Sequence, residues 1–267
     1  VTSISPERLI GAARSGLRDL ATLVTFFSRL PVPGGPHDDI AQLSRAIGLL
    51  PLAGVVVAVP AIVVVLVFGA SDLPHLATAT LAVAALALST GFLHEDGLSD
   101  TADGLLGGAD RERRLEIMRD SRIGAFGAAA LVLTLMLRVT LLAAALDRFG
   151  VFGAVLVVAA TAAVSRAGMV LFWLGLPAAR GDGLSATIGQ PTARASLTAL
   201  GIAAVVSLAF VAGFSGFWLV VLAWVMIGLL VIVLSVVADI RIGGQTGDVL
   251  GAMQQLAEIV FLIGILL

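Results

Sequence analysis

The stretch "IGLLPLAGVVVAVPAIVVVLVFG", residues 47–69, runs for 23 residues without one charged side chain. At about 1.5 Å of rise per residue, a helix of that length covers the roughly 30 Å hydrocarbon core of a bilayer. Six more apolar runs follow, at 76–93, 124–146, 151–176, 196–214, 217–238 and 249–267. The breaks between them are short, such as "SDLPH" (71–75) and "DRFG" (147–150), and leave little room for a domain outside the membrane. About seven transmembrane helices are therefore expected, and the fold class is all-α: a polytopic membrane helix bundle forming one integral membrane domain over residues 1–267. Composition agrees, with 59% hydrophobic and 13% charged residues and a mean hydropathy of +1.07, against roughly 25% charge in a soluble domain.

Ahead of the first run lies "ERLIGAARSGLRDLATLVTFFSRLPVP" (7–33), where Arg14, Arg18 and Asp19 alternate with apolar residues at helical spacing. An N-terminal amphipathic helix within an interfacial segment, 7–46, is expected. The start carries no 7 to 15 residue apolar core before a small-residue cleavage site, so a cleaved signal peptide is not expected. The chain has no cysteine, which excludes disulfides and thiolate metal sites, and its net charge of −2 with no long basic run gives no reason to expect nucleic acid. All sixteen basic residues are arginine, and lysine, asparagine and tyrosine are absent, a bias that suits a GC-rich bacterial genome.

Arginine placement orients the bundle. Thirteen of the sixteen fall before the first run or in the breaks after runs two, four and six. Positive charge in short loops stays in the cytoplasm, so a multi-pass protein of the bacterial inner membrane is expected, with its N-terminus and the acidic block at 94–120 on the cytoplasmic face.

That block, which begins "HEDGLSDTADGLLGG" (94–108), holds eight of the eighteen carboxylates. On a helix Asp96, Asp100 and Asp103 stand at i, i+4 and i+7 and share a face. Three like charges in line at a membrane boundary need a positive partner, and a hard divalent cation with oxygen ligands, Mg²⁺, is the simplest one. The alternative is a solvated acidic face. Glu95 points away from the line and reads as a helper to this metal group or as a surface charge. Further along, Asp110–Arg114 and Glu116–Arg119 suit surface ion pairs, while Arg119 and Arg122 could grip phosphate and Asp120 could complete the metal site. Within the apolar runs, Arg166 must face the bundle interior. Arg138 is similar, and structural pairing explains it equally well. Asp248, Gln255 and Glu258 form a polar stripe entering the last run.

Four stretches in order, "FFSRLPVP", "HEDGLSDTADGLLGGADRERRLEIMRDSRIGAFG", "SRAGMVLFWLGLPAARGDGL" and "GGQTGDVLGAMQQLAEI", resemble the cobalamin synthase family, the adenosylcobinamide-GDP ribazoletransferases. The resemblance covers about residues 25–260. Ser99 stands where the family has alanine, and Gln245 where it commonly has an aromatic residue. The resemblance implies an Mg²⁺-dependent membrane enzyme that joins adenosylcobinamide-GDP to α-ribazole or its 5′-phosphate and releases GMP. Metal then falls to Glu95, Asp96, Asp100 and Asp103, and the hydroxyl proton to Asp103, Asp120 or Asp248. Arg29, His94, Arg119, Arg122, Arg166, Gln255 and Glu258 are the candidate substrate-binding residues. The partners expected are the two substrates and the lipid bilayer, with a homo-oligomer left open. A CDP-alcohol-type lipid phosphotransferase and a membrane transporter are the alternatives; the former's D-G-x-x-A-R pattern is absent, and matched half-sequences for the latter are not seen.

Overall fold

The structure is a computed structural model that describes residues 6–33 and 40–267; residues 34–39 of the expected interfacial segment lie outside them. The described chain is helical: α1 (Pro6–Phe27), α2 (Ile40–Ala46), α3 (Leu50–Val57), α4 (Val59–Phe68), α5 (His75–Thr90), α6 (Leu93–Gly107), α7 (Arg111–Ile117), α8 (Ala125–Gly175), α9 (Leu184–Ile188), α10 (Ala193–Ser215), α11 (Phe217–Ile242) and α12 (Gly247–Leu266). Helices alone satisfy their own backbone groups within one segment, which lipid demands.

Five of these units are long and apolar enough to cross a membrane, and a sixth arises if the bent pair α5–α6 is one broken span. The first, Leu43–Phe68, is broken between α3 and α4, where Pro60 lacks the N–H that would continue the ladder. The 51-residue α8 is more than one crossing needs. It folds back at Gly150, whose φ of 68° and ψ of −178° lie in a region open only to glycine. Arg138 before the break and Arg166 after it both reach Glu258, at 2.9 and 3.5 Å, whereas a straight helix would hold them about 42 Å apart. Counting the limbs of α8 separately makes six apolar units, or seven if the bent pair α5–α6 is one span, against the seven apolar runs of the sequence.

Contacts sort the loops into two ends. At one end His75 pairs with Asp147 at 2.6 Å, and Arg148 donates to the carbonyl of Leu266. At the other, Arg111 donates from Nε to the carbonyl of Ile242 at 2.9 Å, and Arg114 to that of Arg241 at 3.2 Å. The second end thus gathers the arginine-rich segments on one face of the bundle. Outward side chains on α10 and α11, such as Leu197, Val205, Trp218 and Ile232, are apolar and exposed, which is solvation in lipid and would be an error in water.

Candidate active site

The acidic segment is aimed by a sharp turn. Gly91 and Phe92 both take left-handed backbone angles, φ 62° and 61°, and α6 leaves α5 at 89°. A left-handed phenylalanine is strained by about 1–3 kcal/mol, and the turn lays α6 across the arginine-rich end. There it packs on the start of α12. A methyl group on Gly97 would stand 2.8 Å from the carbonyl oxygen of Asp248, so only glycine allows this approach.

Between α6, α12, the second limb of α8 and the following loop lies a cavity of about 210 Å³. Its polar wall is His94, Asp96, Asp248 and Arg180; its apolar wall includes Phe26, Phe27 and Trp173. Thr246 caps α12 by accepting the N–H of Val249 at 3.4 Å. Its hydroxyl also donates to Oδ2 of Asp248 at 3.0 Å, and Arg180 approaches the same oxygen at 3.4 Å. Two buried donors at the cavity, Nη1 of Arg180 and Nε1 of Trp173, have no hydrogen-bond partner. The loop that carries Arg180 is tied down by backbone bonds, from Gln245 N–H to the Pro177 carbonyl and from Ala179 N–H to the Gln245 carbonyl, both 2.8 Å.

The line Asp96, Asp100, Asp103 does not act as one group. Asp103 turns to the start of α8, where its two oxygens accept the N–H groups of Gly124 and Gly127 at 2.7 and 2.9 Å; it neutralises orphan donors at a helix N-terminus. Asp100 lies within electrostatic reach of Asp96, Asp248 and Asp103, with Arg180 opposing them. Among the described residues no three acidic or imidazole groups close on one point as a metal cage. Mg²⁺ needs no such cage, since it takes one or two carboxylates and completes its shell with water and substrate phosphate. Asp96 and Asp100, one turn apart beside the cavity, fit that demand.

Glu95 is elsewhere. It is buried and paired with Arg138 at 2.8 Å, and Gln255 donates to the same oxygen at 3.1 Å. Glu258 joins Arg138 and Arg166 and accepts from Gln254 at 2.7 Å. Arg166, Gln255 and Glu258 therefore sit in one buried, charge-balanced network with Glu95 and Arg138, below the cavity rather than on its wall.

The remaining expected residues, Arg29, Arg119, Asp120 and Arg122, are not among those lining the cavity. Arg29 is exposed, its N–H donates to the Ser89 carbonyl at 2.7 Å, and its side chain covers Gly91. Arg119 holds both oxygens of Asp182, at 2.7 and 2.6 Å. Arg122 pairs with Asp120, and its hydrogen bonds hold the Asp120 carboxyl down to about 2; the carboxylate raises the guanidinium in return. Both sit outside the spanning helices and in water. Arg180 and Trp173 were not singled out from sequence, although both lie in a stretch that carries the family resemblance.

The model of the cobalamin-5-phosphate synthase family matches residues 19–266. Relatives named adenosylcobinamide-GDP ribazoletransferase include one from Sinorhizobium medicae, 46% identical over 91% of this chain and 94% of its own. Others come from Azorhizobium caulinodans, at 44% over 94% and 96%, and Brucella ovis, at 41% over 95% and 98%. No solved structure matches the chain. The two bounding walls of the cavity, α6 and α12, both fall inside the matched residues, and the chain belongs to the cobalamin-5-phosphate synthase family.

Proposed function

We propose that this protein joins adenosylcobinamide-GDP to α-ribazole or its 5′-phosphate, forming adenosylcobalamin or its 5′-phosphate and GMP. The observation that carries the reading is a cavity with Asp96, Asp248 and Arg180 on one wall and aromatic side chains on the other, in a chain whose relatives bear that activity as their name. A ribose hydroxyl of the ribazole that the 5′-phosphate leaves free attacks the phosphorus linked to cobinamide, the bond from that phosphorus to the bridging oxygen breaks, and GMP leaves.

Each residue has a part. Arg180, with an unpartnered buried N–H, donates to the pyrophosphate and balances charge as the bridging oxygen departs. Asp248 accepts the hydroxyl proton: its two hydrogen-bonding contacts to side chains both fall on Oδ2, which leaves Oδ1 for substrate. Asp120, held near 2, is too weak a base, and both oxygens of Asp103 are taken. Phe26, Phe27 and Trp173 offer faces on which an aromatic base stacks. Asp96 and Asp100 would hold Mg²⁺, which supplies charge neutralisation to the pyrophosphate. The gathering of Arg111, Arg114, Arg119 and Arg180 at the cavity end favours a cytoplasmic active face in the bacterial inner membrane.

The test is turnover by the purified protein with adenosylcobinamide-GDP, α-ribazole and Mg²⁺, run beside CDP-diacylglycerol with an alcohol acceptor. GMP release from the first pair alone supports the proposal; CMP release from the second would assign the cavity to a lipid phosphotransferase.

A further inference from the structure

A second concavity of about 480 Å³, which shares no lining residue with the cavity, lies between α1 and α2, lined by Gly11, Arg14, Ser15, Arg18, Asp19 and Arg45. Gly11, Arg14, Ser15 and Arg18 stand at i, i+3, i+4 and i+7 and form one face of α1. The opposite face, through Leu23 and Val24, is buried in the bundle core. Arg45 faces the cleft from α2, two residues into the first crossing unit at Leu43. Three guanidinium groups thus share one cleft with a single carboxylate, Asp19, which has an interaction of its own. Like charges gathered this way repel, and an anion that accepts several N–H donors at once relieves the repulsion.

Two features choose the source of the anion. Arg45 stands at the start of the first apolar unit, Leu43–Phe68, and the end of a crossing helix belongs near the lipid headgroups. Leu17, between Arg14 and Arg18 in sequence, is 66% exposed; a large apolar side chain beside exposed arginines suits the boundary between headgroup and acyl chain. We propose that this cleft binds the phosphate of an anionic phospholipid headgroup, with Arg14, Arg18 and Arg45 on the phosphate and Leu17 against the acyl chains. A zwitterionic lipid would be poorer, because its ammonium returns positive charge to the cleft.

The test uses the full chain purified in a neutral detergent, with its thermal unfolding followed during titration with dioctanoyl phosphatidylglycerol, dioctanoyl phosphatidylcholine, glycerol 3-phosphate or inorganic phosphate. The expected result is saturable stabilisation by phosphatidylglycerol alone, with the combined variant Arg14→Gln, Arg18→Gln, Arg45→Gln binding it roughly a hundredfold more weakly. The lipid-free melting temperature of that variant should match wild type, since none of the three side chains is in the core. If the combined variant does not fold, Arg45→Gln and Arg45→Lys are compared, and only the first should lose affinity. Equal stabilisation by phosphatidylcholine, an equal response to inorganic phosphate, or undiminished binding by the variants would overturn the proposal.

Discussion

Arg138, on the outgoing limb of α8, donates to Glu95 of α6 at 2.8 Å, with both side chains almost wholly buried. Through Glu258 the same guanidinium also ties α12 into the pair, at 2.9 Å. The acidic helix is thus fixed by charge from below while its other face meets the cavity. Removing one partner leaves an uncompensated charge inside the bundle. Arg138→Ala should destabilise by roughly 3–5 kcal/mol, read as a lower unfolding temperature in detergent, while a paired replacement, Arg138→Met with Glu95→Gln, should recover part of the loss. A single variant that melts like wild type would mean the network contributes nothing.

The separate surroundings of two aspartates on one helix lead to separate consequences. Asp96→Asn should reduce turnover by at least about a hundredfold with little change in stability. Asp103→Ala should instead cost about 1–2 kcal/mol through two lost hydrogen bonds to the start of α8, and its folded fraction should retain most of its turnover. If both variants stay folded and lose activity equally, Asp103 belongs to the reacting group after all.

For Asp120 the sign follows from its cause. Arg122 holds the folded carboxyl near 2, below its usual 3.8, so the stability this pair contributes is present above about pH 4 and is lost as pH falls through about 2. Between pH 5 and 8 it does not titrate. Asp120→Asn should leave the acid limb of the pH–rate profile in place, and Asp248→Asn should abolish or move it. A shifted limb in Asp120→Asn would make that residue the proton acceptor.

The lack of native cysteine permits a direct test of orientation. Ala109 and Ala178 lie at the arginine-rich end, and Ser71 lies by the His75–Asp147 pair at the opposite end. Cysteine at Ala109 or Ala178 should react with an impermeant thiol reagent only in opened cells, and cysteine at Ser71 in intact ones. The reverse pattern would turn the protein over in the membrane.

Much of the architecture was written in local sequence. The uninterrupted run at 47–69 needs no tertiary context to be read as a crossing, and the reversal at Gly150 falls inside the polar break "DRFG" that separates two runs. The acidic block was equally visible, and helical periodicity correctly places Asp96 and Asp100 one turn apart. Periodicity could not show that Asp103 meets the N-terminus of α8, because that depends on where a helix 21 residues later begins. Nor could it pair Glu95 with Arg138 across 43 residues: an arginine inside an apolar run calls for a partner, but which carboxylate supplies it is a property of packing. Arg180 was passed over for the same reason, since a lone arginine in a glycine-rich loop gains meaning only when Gln245 draws that loop against the start of α12.

The central claim is a displacement at the cobinamide-linked phosphorus, and following one isotope tests it most directly. Adenosylcobinamide-GDP carrying ³²P only in the guanosine-proximal phosphate is incubated with purified protein, Mg²⁺ and α-ribazole, and the products are separated. All label should appear in GMP, rising in step with unlabelled cobalamin product. Label in the cobalamin product, or release of cobinamide phosphate, would contradict the mechanism.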